Sequence, residues 1–198
     1  MTFTLPGNPV LLRSYTLEDC AVLEANPATL DSDRFSFFGV QTPGRMRRQL
    51  ESGGPPAQYG DVTGQLAVEA EGSFVGGVSW HPVHYGPIPA PAINIGIGLV
   101  PAGRGKGYGT EAQRLLTIYL FSCTTAYRIE AATDVENLAE QRSLEKAGFL
   151  REGILRGSHY REGKYNDLVM YGITRADFEE TRAAGSAAKV STGFTAAR

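Results

Sequence analysis

The chain has 198 residues, of which 42% are hydrophobic and 20% are charged, and its formal net charge is −2 at pH 7. This balance is ordinary for one globular domain and argues against a dedicated nucleic-acid-binding protein, which is usually basic. The chain has no apolar run of roughly 20 residues, no signal-peptide pattern at its start and only two cysteines, so we expect a cytoplasmic protein without a membrane partner.

The first half of the chain predicts two helices and four strands. Thr16 can cap a helix whose first turn contains two acids, and Pro43 suits the first position of a second helix that ends at Gly53. A stretch with four prolines, residues 81–91, predicts a loop. The predicted strands are residues 10–13, 66–70, 73–80 and 93–100, with a hairpin turn at Glu71-Gly72.

The second half predicts two further helices and three further strands. Apolar residues recur every three or four positions in 110–122, which indicates a helix with one buried face. A helix at 138–147 ends before Gly148, and strands are expected at 127–133, 149–155 and 165–173, with a polar connection around 157–163. Small residues dominate after residue 182, so residues 182–198 are expected to form a flexible tail. The order predicts an α/β fold with a mixed sheet.

A glycine-rich loop lies between the strand at 93–100 and the helix at 110–122. Glycine occupies positions 103, 105, 107 and 109, and Arg104 and Lys106 stand between them. The N-terminus of a helix attracts anions, and glycines let a phosphate approach the backbone closely. The loop therefore predicts a diphosphate-binding site.

Two common phosphate-binding patterns do not fit this loop. A dinucleotide fingerprint read from Gly103 or Gly105 would end on Tyr108 or Thr110 instead of glycine. A Walker loop would need a hydroxyl residue after Lys106, where Gly107 stands. The pattern that fits is Arg-x-x-Gly-x-Gly.

Two motifs resemble the GNAT superfamily of acetyltransferases, in particular the branch similar to the Rim-type ribosomal-protein N-terminal acetyltransferases. The first is the loop with the start of its helix, residues 103–112, which resembles the acetyl-CoA signature. The second is Asn-x-x-x-x-Arg-x-Leu-Glu-Lys-x-Gly-Phe at residues 137–149. Asp167, ahead of Tyr171-Gly172, also resembles the closing strand of that branch, and the likeness covers residues 8–178 in the right order.

The resemblance implies a GNAT fold. This is a mixed, mostly antiparallel seven-stranded sheet with helices on both faces and a splayed central pair of strands. It places the acyltransferase domain in residues 1–181 and implies acetyl-CoA as the acyl donor, with no metal. The residues that it assigns to donor binding are Leu99, Val100, Arg104, Gly105, Lys106, Gly107, Tyr108, Gly109, Thr110, Asn137, Arg142 and Lys146.

The same resemblance implies direct transfer from the thioester to an amine, which requires a group that protonates the leaving thiolate. Many relatives place a serine three residues after the motif asparagine, but this chain has Glu140 there. Tyr160, Tyr165 and Ser143 are alternative donors that the sequence does not rank. Asn137 itself is expected either to cap its helix or to contact the reacting centre.

The amine must also lose a proton before or during its attack on the thioester. The strand at 93–100, where many relatives have a glutamate, contains no carboxylate. Asp134 and Glu136 at the end of the next strand are therefore the preferred bases, although both could equally cap the helix that follows. His81 and His84 form a pair without a third ligand, which is more typical of a surface turn than of a metal site.

The sequence leaves the acceptor open among a protein N-terminus, a small amine and an amino-bearing antibiotic. Two alternatives to acetyl transfer also stay open. One is an acyltransferase with another donor, such as a longer acyl-CoA or an aminoacyl-tRNA, since Gly96 and Gly98 would leave room beside the thioester. The other is an acyl-CoA-binding module without activity. The protein could be a monomer or a homodimer.

Overall fold

The computed structural model describes residues 3–29, 33–35, 44–53, 62–86 and 92–191, and the side chains as far as residue 183. Its strands are β1 (Thr4–Pro6), β2 (Val10–Arg13), β3 (Gly64–Ala70), β4 (Ser73–Val83), β5 (Ala92–Leu99), β6 (Arg128–Asp134), β7 (Leu150–Arg161) and β8 (Lys164–Thr174). Its helices are α1 (Leu17–Ala25), α2 (Arg45–Glu51), α3 (Tyr108–Cys123), α4 (Leu138–Lys146) and α5 (Arg175–Ser191).

The strands form one mixed sheet in the order β1-β2-β3-β4-β5-β6-β8-β7. Neighbouring strands are antiparallel except for β5 and β6, which are parallel. That parallel pair is short, because pairing begins at Ala92 with Arg128 and ends at Asn94 with Glu130. Beyond Asn94 the two strands are no longer paired, so the sheet is split at its centre.

Each helix that flanks the split starts where its sequence provides a start signal. Gly107 adopts a left-handed conformation (φ 83°) directly before α3, which glycine adopts without the penalty of a Cβ atom. The Asn137 side chain accepts a hydrogen bond from the Glu140 N–H and caps α4. The helices α3 and α4 therefore both begin next to the open end of β5.

The hydrophobic core lies between the sheet and the helices. The predicted apolar face of α3 is buried at Ala112, Leu115, Leu116 and Leu120, and Tyr119 packs against it. Residues of all the central strands, from β2 to β6 and β8, and of α4 and α5 also belong to this cluster. Burial of so many large apolar side chains is the main favourable term in folding.

The structure confirms the α/β class and the mixed, mostly antiparallel sheet, but it has eight strands where seven were predicted. The additional strand, β1, has three residues and contains Pro6, which is tolerated at the edge of a sheet. A three-residue strand with a proline gives no alternating pattern long enough to be predicted from the sequence. The C-terminal helix α5 was also missed, and it crosses the proposed boundary at residue 182, so the flexible tail stays a prediction.

Two predicted connections are partly strand. β4 continues to Val83, so the expected loop does not start at His81. The polar connection at 157–163 is mostly the end of β7, and the turn to β8 is Glu162-Gly163, both with positive φ. β7 is an edge strand with mainly exposed side chains, so its polar composition resembles that of a loop. The expected start of the second helix, Thr42-Pro43, lies outside the described residues.

Candidate functional site

A cavity of about 420 Å³ opens where β5 and β6 separate. One wall is the end of β5, from Ile97 to Leu99, and the opposite wall is α4 with its capping residue Asn137. Most of the residues predicted to bind the donor line this cavity, namely Leu99, Arg104, Gly105, Gly107, Gly109, Thr110, Asn137, Arg142 and Lys146. The tertiary structure thus brings the two sequence motifs to one site.

The glycine loop forms one end of the cavity. Gly105 and Gly107 have φ angles of 75° and 83°, and a Cβ atom built on either would meet no atom within 4 Å. Space is therefore open on the side where these residues lack a side chain. The first N–H groups of α3 have no acceptor within the helix, and none of the described side chains caps this end. Such N–H groups suit an anion like a diphosphate.

Four cationic side chains line the same cavity, and one of them, Arg34, pairs with Glu136. Arg142 and Lys146 are exposed on α4, and Arg104 lies in the loop. Arg104 donates from Nε to the Leu99 carbonyl oxygen at 2.9 Å and forms an ion pair with Asp33 at 2.5 Å. Arg104 thereby ties the loop both to the end of β5 and to the segment at 33–35.

The remaining predicted donor-binding residues do not line the cavity. The Val100 N–H donates to the Val75 carbonyl oxygen at 3.0 Å, so it already has a partner within the fold. Tyr108 is buried in the core cluster, and the Lys106 ammonium lies 5.8 Å from the centre of its ring. Lys106 itself is exposed.

Asn137 has the geometry of a helix cap and also faces the cavity. Its Oδ1 accepts from the Glu140 N–H at 3.3 Å, and its Nδ2 donates to Thr133 Oγ1 at 3.0 Å. These two bonds hold the amide at the junction of β6 and α4. Both expectations for Asn137, cap and cavity contact, are therefore compatible with one position.

The other predicted catalytic residues lie away from the cavity lining. Asp134 is buried and forms an ion pair with Arg161 at 2.9 Å. Glu136 is exposed and pairs with Arg34 at 2.9 Å. Tyr160 is 62% exposed, and its ring stacks edge-on against that of Tyr165 at 5.2 Å. Their roles stay predictions, and none of the three is directed into the cavity as a lining residue.

A hydrogen-bonded group that sequence reasoning missed joins α3 to α4 at the cavity. Gln113, only 2% exposed, donates from Nε2 to Glu140 Oε1. Its Oε1 accepts from Ser143 Oγ at 3.1 Å, and Ser143 Oγ lies 3.0 Å from Thr110 Oγ1. Glu140, Ser143 and Thr110 all line the cavity. The signal in the sequence was a glutamine on the otherwise apolar face of α3.

The Glu140 carboxyl is unusual among the cavity-lining groups. Burial, which disfavours the charged form, raises its pKa, and the hydrogen bond from Gln113 only partly opposes this. The resulting pKa is about 7. A carboxyl with such a pKa can donate or accept a proton at neutral pH.

No metal site accompanies these groups in the part of the chain that the structure describes, where no three His, Cys, Asp or Glu residues cluster as ligands. His81 lies on β4 and is exposed, and His84 follows the strand, also exposed. Over the same residues, no helix is both long and apolar enough to cross a membrane.

A family model described as Acetyltransferase (GNAT) domain matches residues 10–150. A Bacillus subtilis (strain 168) protein named Probable N-acetyltransferase YjcK is 42% identical over 79 residues, which are 40% of this chain and 44% of that protein. The chain spans less than half the length of the curated relatives it matches.

Solved structures of low sequence identity share the fold. The structure of RimL, a ribosomal L7/L12 alpha-N-protein acetyltransferase in complex with coenzyme A, superposes with a TM-score of 0.70 at 18% identity, over 87% of this chain and 98% of that one. Spermidine N-acetyltransferase from Vibrio cholerae, in complex with CoA and spermine, gives 0.71 at 17% identity, over 87% and 99%.

Proposed function

Because the chain belongs to the GNAT family of acetyltransferases, as the match over residues 10–150 shows, we propose that it transfers the acetyl group of acetyl-CoA directly to a primary amine. The observation that supports this best is the cavity between β5 and β6, with the glycine loop at one end and the two motif helices beside it. This cavity supports the proposal because the uncapped start of α3, which suits an anion, and the end of β5 line the same space.

The lining residues fit the chemical parts of an acyl-CoA. Backbone N–H groups at the start of α3, with Arg104 beside them, suit the pyrophosphate. The stretch Ile97–Leu99 of β5 has no partner strand on the β6 side, so its main chain can bind the amide-rich pantetheine arm as an added strand would. Arg142 and Lys146 add positive charge on the opposite wall.

The acceptor in our proposal is a primary amine of a protein N-terminus, a small amine or an amino-bearing antibiotic. The motif at residues 137–149 and the shared fold with RimL support a Rim-type activity on a protein N-terminus. The spermidine enzyme of the same fold shows that small polyamines belong in the test set. The sequence matches extend over less than half of each curated relative, so they do not identify the acceptor, and the experiment below tests the three classes of amine.

The test has two steps. Calorimetry with acetyl-CoA and with CoA is expected to show saturable binding to the purified protein. Release of free thiol from acetyl-CoA is then followed with spermine, an aminoglycoside and an L7/L12 N-terminal peptide, and at least one is expected to stimulate it. Absence of binding at millimolar CoA would refute the proposal. Tight binding without turnover on any amine or with any acyl chain length would instead favour a binding module.

A further inference from the structure

Glu140 lies in the first turn of α4, one turn after Asn137, and it lines the cavity together with the end of β5. In the proposed acetyl transfer, a pantetheine arm bound along β5 would bring the thioester into this part of the cavity. We propose that Glu140 is the acid that protonates the CoA thiolate as it leaves, an inference that rests on the proposed acetyl transfer. The residue is then catalytic, and Gln113 is the residue that positions it.

The geometry fixes one oxygen of the carboxyl and leaves the other for the proton. Gln113 donates to Oε1, and the amide of Gln113 is itself held by Ser143. Among the residues that the structure describes, none donates a hydrogen bond to Oε2. A protonated carboxyl whose Oε1 accepts from the amide therefore carries its O–H on Oε2, and in our proposal this O–H faces the cavity that Glu140 lines.

The surroundings favour the neutral carboxyl. Burial is the largest influence on Glu140 and raises its pKa to about 7, whereas Gln113 acts in the opposite direction. The lining part of β5 has no ionisable side chain, and α3 contributes the neutral Thr110. The charged lining groups are Asp33, Arg34, Arg104, Arg142 and Lys146. Positive charges favour a carboxylate, so burial, and not the neighbouring charges, favours the neutral form of Glu140.

No other lining carboxyl is placed as well for this role. Within the described residues, the second carboxylate that lines the cavity is Asp33, which is engaged by Arg104 at 2.5 Å. Asp134 is held by Arg161 and Glu136 by Arg34. Glu140 is thus the lining carboxyl that combines a neutral hydrogen-bond partner with a pKa in the working range of a general acid.

The step balances as a simple aminolysis. The neutral amine attacks the thioester carbonyl carbon, a C–N bond forms, and the C–S bond breaks with its electron pair on sulfur. The Glu140 O–H gives its proton to that sulfur, which yields the free thiol of CoA. The nitrogen loses one proton to water as the amide forms, and water returns one proton to the Glu140 carboxylate. No oxidant, reductant or metal is consumed.

The experiment compares Glu140→Gln, Glu140→Asp and the control Glu180→Gln, the same change at an exposed position of α5. Each variant is assayed for acetyl-CoA binding by calorimetry and for kcat between pH 5.5 and 9.5 with the amine that the wild type acetylates. Glu140→Gln is expected to bind acetyl-CoA normally and to lose about 100-fold in kcat. Glu140→Asp should recover part of this loss, and Glu180→Gln should match the wild type.

The pH profile separates an acid from a base. If Glu140 donates a proton, the wild-type kcat falls as the carboxyl ionises at alkaline pH, and Glu140→Gln loses this descending limb. Loss of the ascending limb instead would make Glu140 a base and would overturn the proposal. An unchanged kcat in Glu140→Gln, with normal binding and turnover in the wild type, would overturn it while leaving the proposed acetyl transfer intact.

A measurement without an acceptor keeps the inference testable if no amine in the panel reacts. Carboxyl ¹³C NMR of labelled glutamate, assigned with Glu140→Gln, is expected to show a titration midpoint near pH 7 that shifts when CoA binds. A titration midpoint at the ordinary glutamate pKa of about 4.3 would overturn the role of Glu140. A titration midpoint that is the same with and without bound CoA would also overturn it. Failure of the wild type to bind CoA would refute the proposed function and the inference together.

Discussion

Arg161 Nη1 lies 2.9 Å from Asp134 Oδ2, and both side chains are only 1% exposed. The two atoms do not meet the angular criteria of a hydrogen bond, so the pair is held by the attraction of its opposite charges. The two residues end β7 and β6, which are separated in the sheet by β8. Asp134 Oδ1 also accepts from the Glu136 N–H at 2.8 Å. Asp134 therefore stabilises the end of the sheet.

We predict that Asp134→Ala destabilises the protein strongly. Removal of Asp134 leaves the buried Arg161 guanidinium with only the more distant and more exposed Glu162 carboxylate, 3.5 Å away, as a counter-charge. Loss of one partner of a buried ion pair costs about 3 kcal/mol or more in the free energy of unfolding. The matched control is Glu111→Ala, which breaks the more exposed pair with Arg114 and should cost less than about 1 kcal/mol. Urea unfolding followed by circular dichroism measures both. Equal midpoints for the two variants would contradict this role of the buried pair.

We predict that Gly109→Ala stabilises helix α3 but weakens the binding of CoA. A Cβ at Gly109 would lie in ordinary contact, 3.5 Å from Leu99 and 3.6 Å from Ile97, on the wall of the cavity. The helix should gain up to about 1 kcal/mol from the change, because glycine is a poor helix former. The added methyl group narrows the site, so CoA affinity should fall about tenfold.

The control for Gly109→Ala is Gly153→Ala, where the new Cβ would meet nothing within 4 Å. Calorimetry should show CoA binding that is unaffected in Gly153→Ala and weakened in Gly109→Ala. Thermal unfolding should show that neither variant is unfolded at the assay temperature. Wild-type affinity in Gly109→Ala would exclude Gly109 from the donor site.

We also predict that Glu140→Gln raises stability at alkaline pH. The folded protein keeps the Glu140 proton up to a pKa of about 7, whereas the unfolded chain loses it near pH 4.5. The native state thus binds more protons between these values, and its stability falls as the pH rises through this window. Replacement by the neutral amide removes this loss, so the variant should be more stable than the wild type by about 3 kcal/mol at pH 8 and similar to it at pH 4.

Urea unfolding at the two pH values checks this expectation, with Glu180→Gln as the control, since that position is exposed. A stability difference that is the same at pH 4 and pH 8 would mean that Glu140 does not titrate in this window. The prediction is independent of any acceptor or donor.

The pH dependence of stability at Asp19 should have the opposite sign to that at Glu140, because the pKa of Asp19 is lowered by folding. Burial alone would raise its pKa, but hydrogen bonds from Arg13 and from the Thr16 backbone outweigh this, so its pKa lies below the ordinary value. The stability that Asp19 provides is complete above the unfolded-state pKa and is lost as the pH falls through the folded one. Asp19→Asn should therefore cost about 1–3 kcal/mol at pH 7 and progressively less below pH 4. Acid unfolding of the wild type and the variant tests this, and a cost that does not change with pH would contradict it.

Much of the architecture could be predicted because local signals were strong. The helix cap at Thr16, the buried face of α3 and the stop at Gly148 each depend on residues a few positions apart, and the structure confirms them. The structure adds that Asp19 completes a capping box with Thr16. β1 and the end of β7 were missed, because an edge strand has no buried face to impose an alternating pattern.

The sequence by itself determined the family and located the glycine-rich loop that we propose binds the donor, since glycines at fixed spacing between a strand and a helix are a local property of the chain. The tertiary structure decided which ionisable groups face the cavity. Asp134 and Glu140 are both acids beside Asn137 in sequence, yet one is neutralised by Arg161 from a distant strand and the other meets the neutral amide of Gln113 from α3. The pKa of a carboxyl depends on the partners and the burial that folding supplies, and these arise from residues far away along the chain.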